Sequence, residues 1–200
     1  MGYIRVFLKT LFICLVFLFS CPYLPAQEQL QELQKSYYNL PLGSKERFLM
    51  TGKYAQALYF NNEKALASQI LNDNIQLAKT YPDKQYYAYL NCIAAMNSYN
   101  DHLFEKSRFY LEHAKSVLPI INDNSTKGYI YYCDGWIMTR QNKEDQAVSQ
   151  FHKAISFLEK APQTDANIAR KLAIYKELTA IYANQRNYDF QEKYTSLLLE

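Results

Sequence analysis

Residues 128–162 read GYIYYCDGWIMTRQNKEDQAVSQFHKAISFLEKAP, and the order of large, small and polar side chains in them decides the fold. Tyr129 to Arg140 place aromatic and aliphatic residues at three-to-four spacing around Gly135, the period of one helix face. After a polar turn at Gln141 to Glu144, the second half brings Ala147, Phe151, Ala154 and Phe157 to one side. This is a helical hairpin with small residues where its helices cross. A bulky side chain at a crossing would hold the axes apart, so Gly, Ala or Ser is needed there, with a large apolar residue filling the space beside it. A lone hairpin leaves apolar faces uncovered, so this stretch predicts neighbours of the same kind.

The same spacing recurs. Gly135, Ala147, Phe151 and Ala154 correspond, forty residues upstream, to Ala95, Ser107, Leu111 and Ala114, and forty further to Ala55, Ala67, Leu71 and Asn74. Forty-four residues downstream the set is Thr179, Gln191, Thr195 and Leu198, a weaker match. Helix-favouring composition explains an Ala or Ser at any one position, but not a shared register in three copies. The expectation is an all-α fold of about four helical hairpins.

The spacing around Gly135, Ala147, Phe151 and Ala154, with closing prolines Pro82, Pro119 and Pro162, resembles the tetratricopeptide repeat (TPR), whose unit is about 34 residues of helix, turn, helix. Here the units run to about 40 residues, and the extra residues fall in connections and helix ends. Gly135 fits the family's first-helix signature, whereas Trp136 follows the glycine instead of preceding it. The resemblance covers roughly residues 45–199 and implies a TPR-like α-solenoid. It says little about function, which lives in sites grafted on a fold.

At the start of the chain, residues 1–26 read as a signal peptide: Arg5 and Lys9 in front, an apolar run from Leu11 to Phe19, and Leu24-Pro25-Ala26 before Gln27 as the cleavage site. The run is short of the roughly 20 residues of a membrane span. Two alternatives remain, a lipoprotein box at Leu18-Phe19-Ser20-Cys21 that would lipidate Cys21, and an uncleaved anchor. Residues 27–43 form an N-terminal helix and linker, and 44–200 the repeat domain. Asn39-Leu40-Pro41, Ser44-Lys45-Glu46 and Glu63-Lys64-Ala65 behind such a leader are similar to the N-terminal periplasmic TPR sensor region of Bacteroidetes envelope signalling regulators. That resemblance implies the sensing half of such a protein, exported and facing the periplasm or outer envelope.

Helices are expected over Gln27 to Asn39, Ser44 to about Asn61, Glu63 to Thr80, Asp83 to Tyr99, His102 to Ile121, Ser125 to Gln141, Lys143 to Lys160, Asp165 to Gln185 and Tyr188 to Leu199. Nineteen tyrosines and eleven phenylalanines with only five glycines point to helices packed through large side chains. Without Arg5 and Lys9, 20 basic residues face 19 acidic ones. A balance this even gives no electrostatic case for nucleic acid.

No catalytic or metal-binding motif stands out. His102, His113 and His152 occur singly, and there is no phosphate loop or nucleophile elbow. No cofactor, metal or catalytic residue is expected. Cys92 and Cys133 stand at near-equivalent places in adjacent first helices and read as two buried thiols or, in an oxidising compartment, a disulfide. The functional expectation rests on the surface lined by first helices. In TPR folds that surface is concave, and the repeat register sends Lys53, Gln56, Phe60, Tyr89, Met96, Tyr99, Asn100, Tyr129, Tyr132, Trp136, Arg140, Lys176 and Asn184 toward it. Aromatic residues with amide and cationic neighbours suit a peptide or protein segment. Against this stands the packing of Tyr132 and Trp136 as core between repeats. The reading is a non-enzymatic binding domain of the envelope, the sensor or interaction part of a signalling protein, with a free-standing secreted or lipid-anchored scaffold as the alternative.

Overall fold

The structure is a computed structural model and describes residues 24–199. The expected leader, its cleavage site and Cys21 lie outside the described residues, apart from Leu24 to Ala26, which open the first helix. Among the described residues there are nine α-helices and no strand: α1 (Leu24–Asn39), α2 (Lys45–Phe60), α3 (Lys64–Thr80), α4 (Gln85–Asn100), α5 (Phe104–Ser116), α6 (Asn124–Arg140), α7 (Glu144–Leu158), α8 (Asp165–Asn184) and α9 (Tyr188–Ser196). None of them is long and apolar enough to cross a membrane.

The helices pair as α2/α3, α4/α5, α6/α7 and α8/α9, with α1 packed on α2. The first helices touch in succession, α2 on α4, α4 on α6 and α6 on α8. Each of the first three second helices, α3, α5 and α7, lies between its own partner and the first helix of the next hairpin. The result is two layers, one of first helices and one of second helices.

All four hairpin turns are built alike. Asn62, His102, Asn142 and Arg186 take φ between 55° and 66°, and their N–H groups donate to the carbonyls of Tyr59, Tyr99, Thr139 and Ala183. The next residues, Glu63, Leu103, Lys143 and Asn187, donate to Leu58, Ser98, Met138 and Tyr182. This double bond pattern satisfies the last carbonyls of a helix and reverses the chain. Glycine is the usual left-handed residue there, yet none of the four turns uses one. The turns recur at 40, 40 and 44 residues, the spacing of the crossing residues. Three of the four first helices start on side-chain caps: Ser44, Asp123 and Thr164 accept from the N–H of Arg47, Thr126 and Asn167, whereas the N-cap of α4, Lys84, makes no such bond. The expected helix from His102 to Ile121 is shorter, because Pro119 breaks it into α5 and a 3₁₀ turn at Leu118–Ile120. The helix expected to run to Leu199 stops at Ser196.

Packing follows the crossing register. Ala55, Ala67, Ala95, Ala114, Ala147, Phe151 and Ala154 are fully buried. Side chains then bond between neighbouring units of the array. Asn74 Nδ2 donates to Tyr37 Oη on α1 at 2.9 Å, and Lys115 pairs with buried Asp134 at 3.2 Å. At the first turn, Tyr59 Oη and Lys64 Nζ both reach Asp101 Oδ1, at 2.8 and 2.6 Å.

Partial burial works against the Asp101 carboxylate, but the bonds from Lys64 and Tyr59 outweigh it and hold its pKa below the ordinary value. A lowered folded-state pKa contributes stability that is complete above the unfolded value of about 3.9 and is lost as pH falls through the folded one. Urea midpoints of the wild type should therefore exceed those of Asp101→Asn by a constant margin from pH 5 to 8. The margin should close as the pH is taken below about 4. A margin that stays constant down to pH 2 would show that the charge on Asp101 contributes nothing.

Candidate functional site

A cleft of about 420 Å³ in the first-helix layer takes residues from all four first helices or their caps. Leu49 and Lys53 enter from α2, and Gln85, Tyr86 and Tyr89 from α4. Ser125, Thr126 and Tyr129 come from α6, and Ala166, Asn167 and Arg170 from α8. Its position follows from the layer, since successive first helices start at one edge of the molecule and their first two turns stand side by side.

Tyrosines form the floor. Tyr89 and Tyr129 lie with ring centroids 5.8 Å apart, and Tyr129 stacks on Tyr132 at 6.2 Å. Tyr89 reaches across to α2 because residue 52 is glycine: a Cβ there would lie 2.2 Å from Tyr89 Oη. Burial raises the pKa of the Tyr89 hydroxyl, with Arg170 pulling the other way. Burial also raises that of Tyr129 well above its usual value. The floor is therefore neutral at physiological pH.

One wall is a hydrogen-bonded unit. Asn167, 2% exposed, donates from Nδ2 to Ser125 Oγ at 2.8 Å and to the Pro162 carbonyl at 2.9 Å. Its Oδ1 accepts from Arg170 Nη1 at 2.9 Å. The guanidinium of Arg170 lies over the Tyr129 ring, 4.3 Å from the centroid. Such stacking and bonding fix a long side chain that would otherwise sample many rotamers.

Of the residues singled out from sequence, Lys53, Tyr89 and Tyr129 meet in this cleft. Tyr99, Trp136 and Arg140 form a second group that closes on itself. Tyr99 stands edge-on to Trp136 at 5.8 Å, and the Arg140 guanidinium lies over the Trp136 ring, 3.6 Å from its centroid, with Trp136 8% exposed. Arg140 also pairs with Glu177 at 3.1 Å. Met96 is half-buried and accepts from Cys133 Sγ at 3.4 Å, and Tyr132 packs on Phe151. Gln56, Phe60, Asn100 and Lys176 are exposed and line no part of the cleft. Asn184 bonds to Glu144 on the preceding hairpin. Cys92 and Cys133 are buried free thiols beneath the floor.

Sequence reasoning missed Arg170, Asn167, Tyr86 and Leu49. A register signal for Arg170 existed, since Tyr86, Thr126 and Arg170 occupy one place in successive repeats, a turn ahead of Tyr89 and Tyr129. No signal in a single sequence marked the bonds of Asn167. Among the described residues, no group of three or more His, Cys, Asp or Glu is placed to hold a metal ion.

Compared with models of protein families, with characterised proteins and with solved structures, the chain matches none.

The seat of Tyr89 on Gly52 gives a direct check on the cleft floor. Gly52→Ala should displace the Tyr89 ring toward the cleft, changing the near-ultraviolet circular dichroism of the tyrosines while leaving the far-ultraviolet helical signal intact. An unchanged near-ultraviolet spectrum would place Tyr89 away from α2.

Proposed function

We propose that this chain is a non-enzymatic binding module with a TPR-like α-solenoid fold, and that the cleft in its first-helix layer receives a peptide or a protein segment. The observation that carries this reading is the cleft itself: four hairpins each contribute residues to one opening with a tyrosine floor. Peptide recognition draws on large aromatic surfaces, which offer contact area with few rotors to freeze, and on polar groups that answer the backbone of the guest. Gln85, Ser125 and Thr126 at the cleft edge provide such groups beside Tyr86, Tyr89 and Tyr129.

The TPR-like assignment is supported by the crossing register of Ala55, Ala95 and Gly135 and by the four alike turns. A place in the cell envelope rests on the sequence pattern of the leader, and a sensing or interaction role within a signalling protein on the resemblance of its N-terminal region.

Site-specific photo-crosslinking separates this surface from the rest. A benzoyl-phenylalanine replacing Leu49, half-exposed in the cleft, should give adducts with peptide segments of envelope proteins. One replacing Phe109, exposed on the second-helix layer, should not. Adducts from Phe109 and none from Leu49 would move the binding surface to the other layer.

A further inference from the structure

The cleft carries two cations without a carboxylate partner among the described residues. Between hairpins elsewhere, cations are paired: Lys64 with Asp101, Lys115 with Asp134, Arg140 with Glu177. At the cleft, neither Arg170 nor Lys53 has a carboxylate within 4.0 Å among the described residues. Asp123 is the acidic residue in the lining, and its Oδ2 already accepts the Thr126 N–H at 2.7 Å. The cleft therefore has a cationic excess over an apolar floor.

Arg170 is also oriented. Its guanidinium lies flat on Tyr129 and is tethered through Nη1 to buried Asn167. The remaining N–H groups have no acceptor among the described residues. A planar guanidinium held this way offers an edge whose geometry matches a carboxylate with two parallel hydrogen bonds. Desolvation by Tyr86, Tyr89 and Tyr129 strengthens such a bond relative to one in open water. The backbone N–H groups of Thr126 and Asn167 are taken by their caps and do not read the guest.

We propose that the cleft recognises the side-chain carboxylate of an Asp or Glu within an extended peptide, with a neighbouring apolar side chain on the tyrosine floor. Arg170 receives the carboxylate, Lys53 approaches from the opposite wall, and Asn167 is a positioning residue for Arg170. The inference rests on the peptide-binding reading and adds the chemistry of the guest. An internal acidic residue fits better than a chain end. The first helices that line the cleft continue beyond it with exposed Gln56 and Phe60 on α2 and Asn100 on α4, a surface for residues flanking the acidic one.

The test is selection from a library of N-acetylated, C-amidated hexapeptides on the full chain, on Arg170→Gln and on Lys53→Gln, each verified as folded by circular dichroism. Lys53 is exposed and makes no ion pair, so its variant tests the charge without disturbing packing. The wild type should retain peptides with Asp or Glu beside Phe, Tyr or Leu. Arg170→Gln should weaken these by about tenfold, the scale of one charge-assisted hydrogen bond, and leave their Gln counterparts unchanged; Lys53→Gln should weaken them less. Peptide retention without acidic preference, or with a preference unaltered in both variants, would overturn the carboxylate assignment and leave the peptide-binding reading standing. Stronger binding of acid-free peptides with a free C-terminus would overturn the internal-residue assignment in favour of a chain end. Retention of no peptide by the folded wild type would overturn both.

Discussion

The close approach of α6 to α7 fixes the geometry on which the cleft depends. A Cβ on Gly135 would stand 2.8 Å from the Phe151 ring and 3.2 Å from the Ala147 carbonyl oxygen. Two turns earlier, a Cβ on Gly128 would stand 2.7 Å from Leu158 Cγ and 3.2 Å from the Ala154 carbonyl oxygen. Two glycines seven residues apart thus let one helix settle against the other along most of its length. The residue after each glycine, Tyr129 and Trp136, belongs to the face turned toward the neighbouring first helices, where Tyr129 meets Tyr89 and Trp136 meets Tyr99. The depth at which α6 sits on α7 therefore sets the height of the tyrosine floor.

The crossing pattern was legible because close packing allows little choice. In the first three hairpins every residue of the quartet is buried, from Ala55 and Asn74 to Phe151 and Ala154. In the fourth, Thr179, Gln191 and Leu198 are half-buried and Thr195 is exposed. The weak sequence match there corresponds to a looser crossing, although the Arg186 turn closes it like the others. The turns were less legible. Their left-handed residues are Asn62, His102, Asn142 and Arg186, and a non-glycine residue at positive φ leaves a weak mark on sequence. Pro119 was visible, but whether it ended a helix or merely followed one depends on where the chain must go next.

The site was legible only in its aromatic part. Helical periodicity brought Tyr89 and Tyr129 to one surface, since a stripe in each first helix must face its neighbours in the layer. It did not separate residues facing an opening from residues covered by their own neighbours. Trp136 shows the difference, since Arg140, one turn on, lies over its ring and Glu177 on α8 holds the guanidinium. At the cleft the same chemistry has the opposite result. Arg170 stacks on Tyr129 from a different helix and pairs with no carboxylate among the described residues. A cation over an aromatic ring is common to both places, and the presence or absence of a third partner from the next hairpin distinguishes them.

The dependence of the layer on the α6–α7 contact is open to a double-mutant cycle with Gly135→Ala and Phe151→Leu, read by urea unfolding. Gly135→Ala alone should destabilise by about 1–3 kcal/mol, the usual cost of forcing a methyl group into a packed interior. In the Phe151→Leu background, where the ring edge is gone, the same change should cost less, with a coupling of at least about 0.5 kcal/mol. Additive effects of the two substitutions, or a Gly135→Ala variant as stable as the wild type, would contradict the account that this approach positions the first-helix layer.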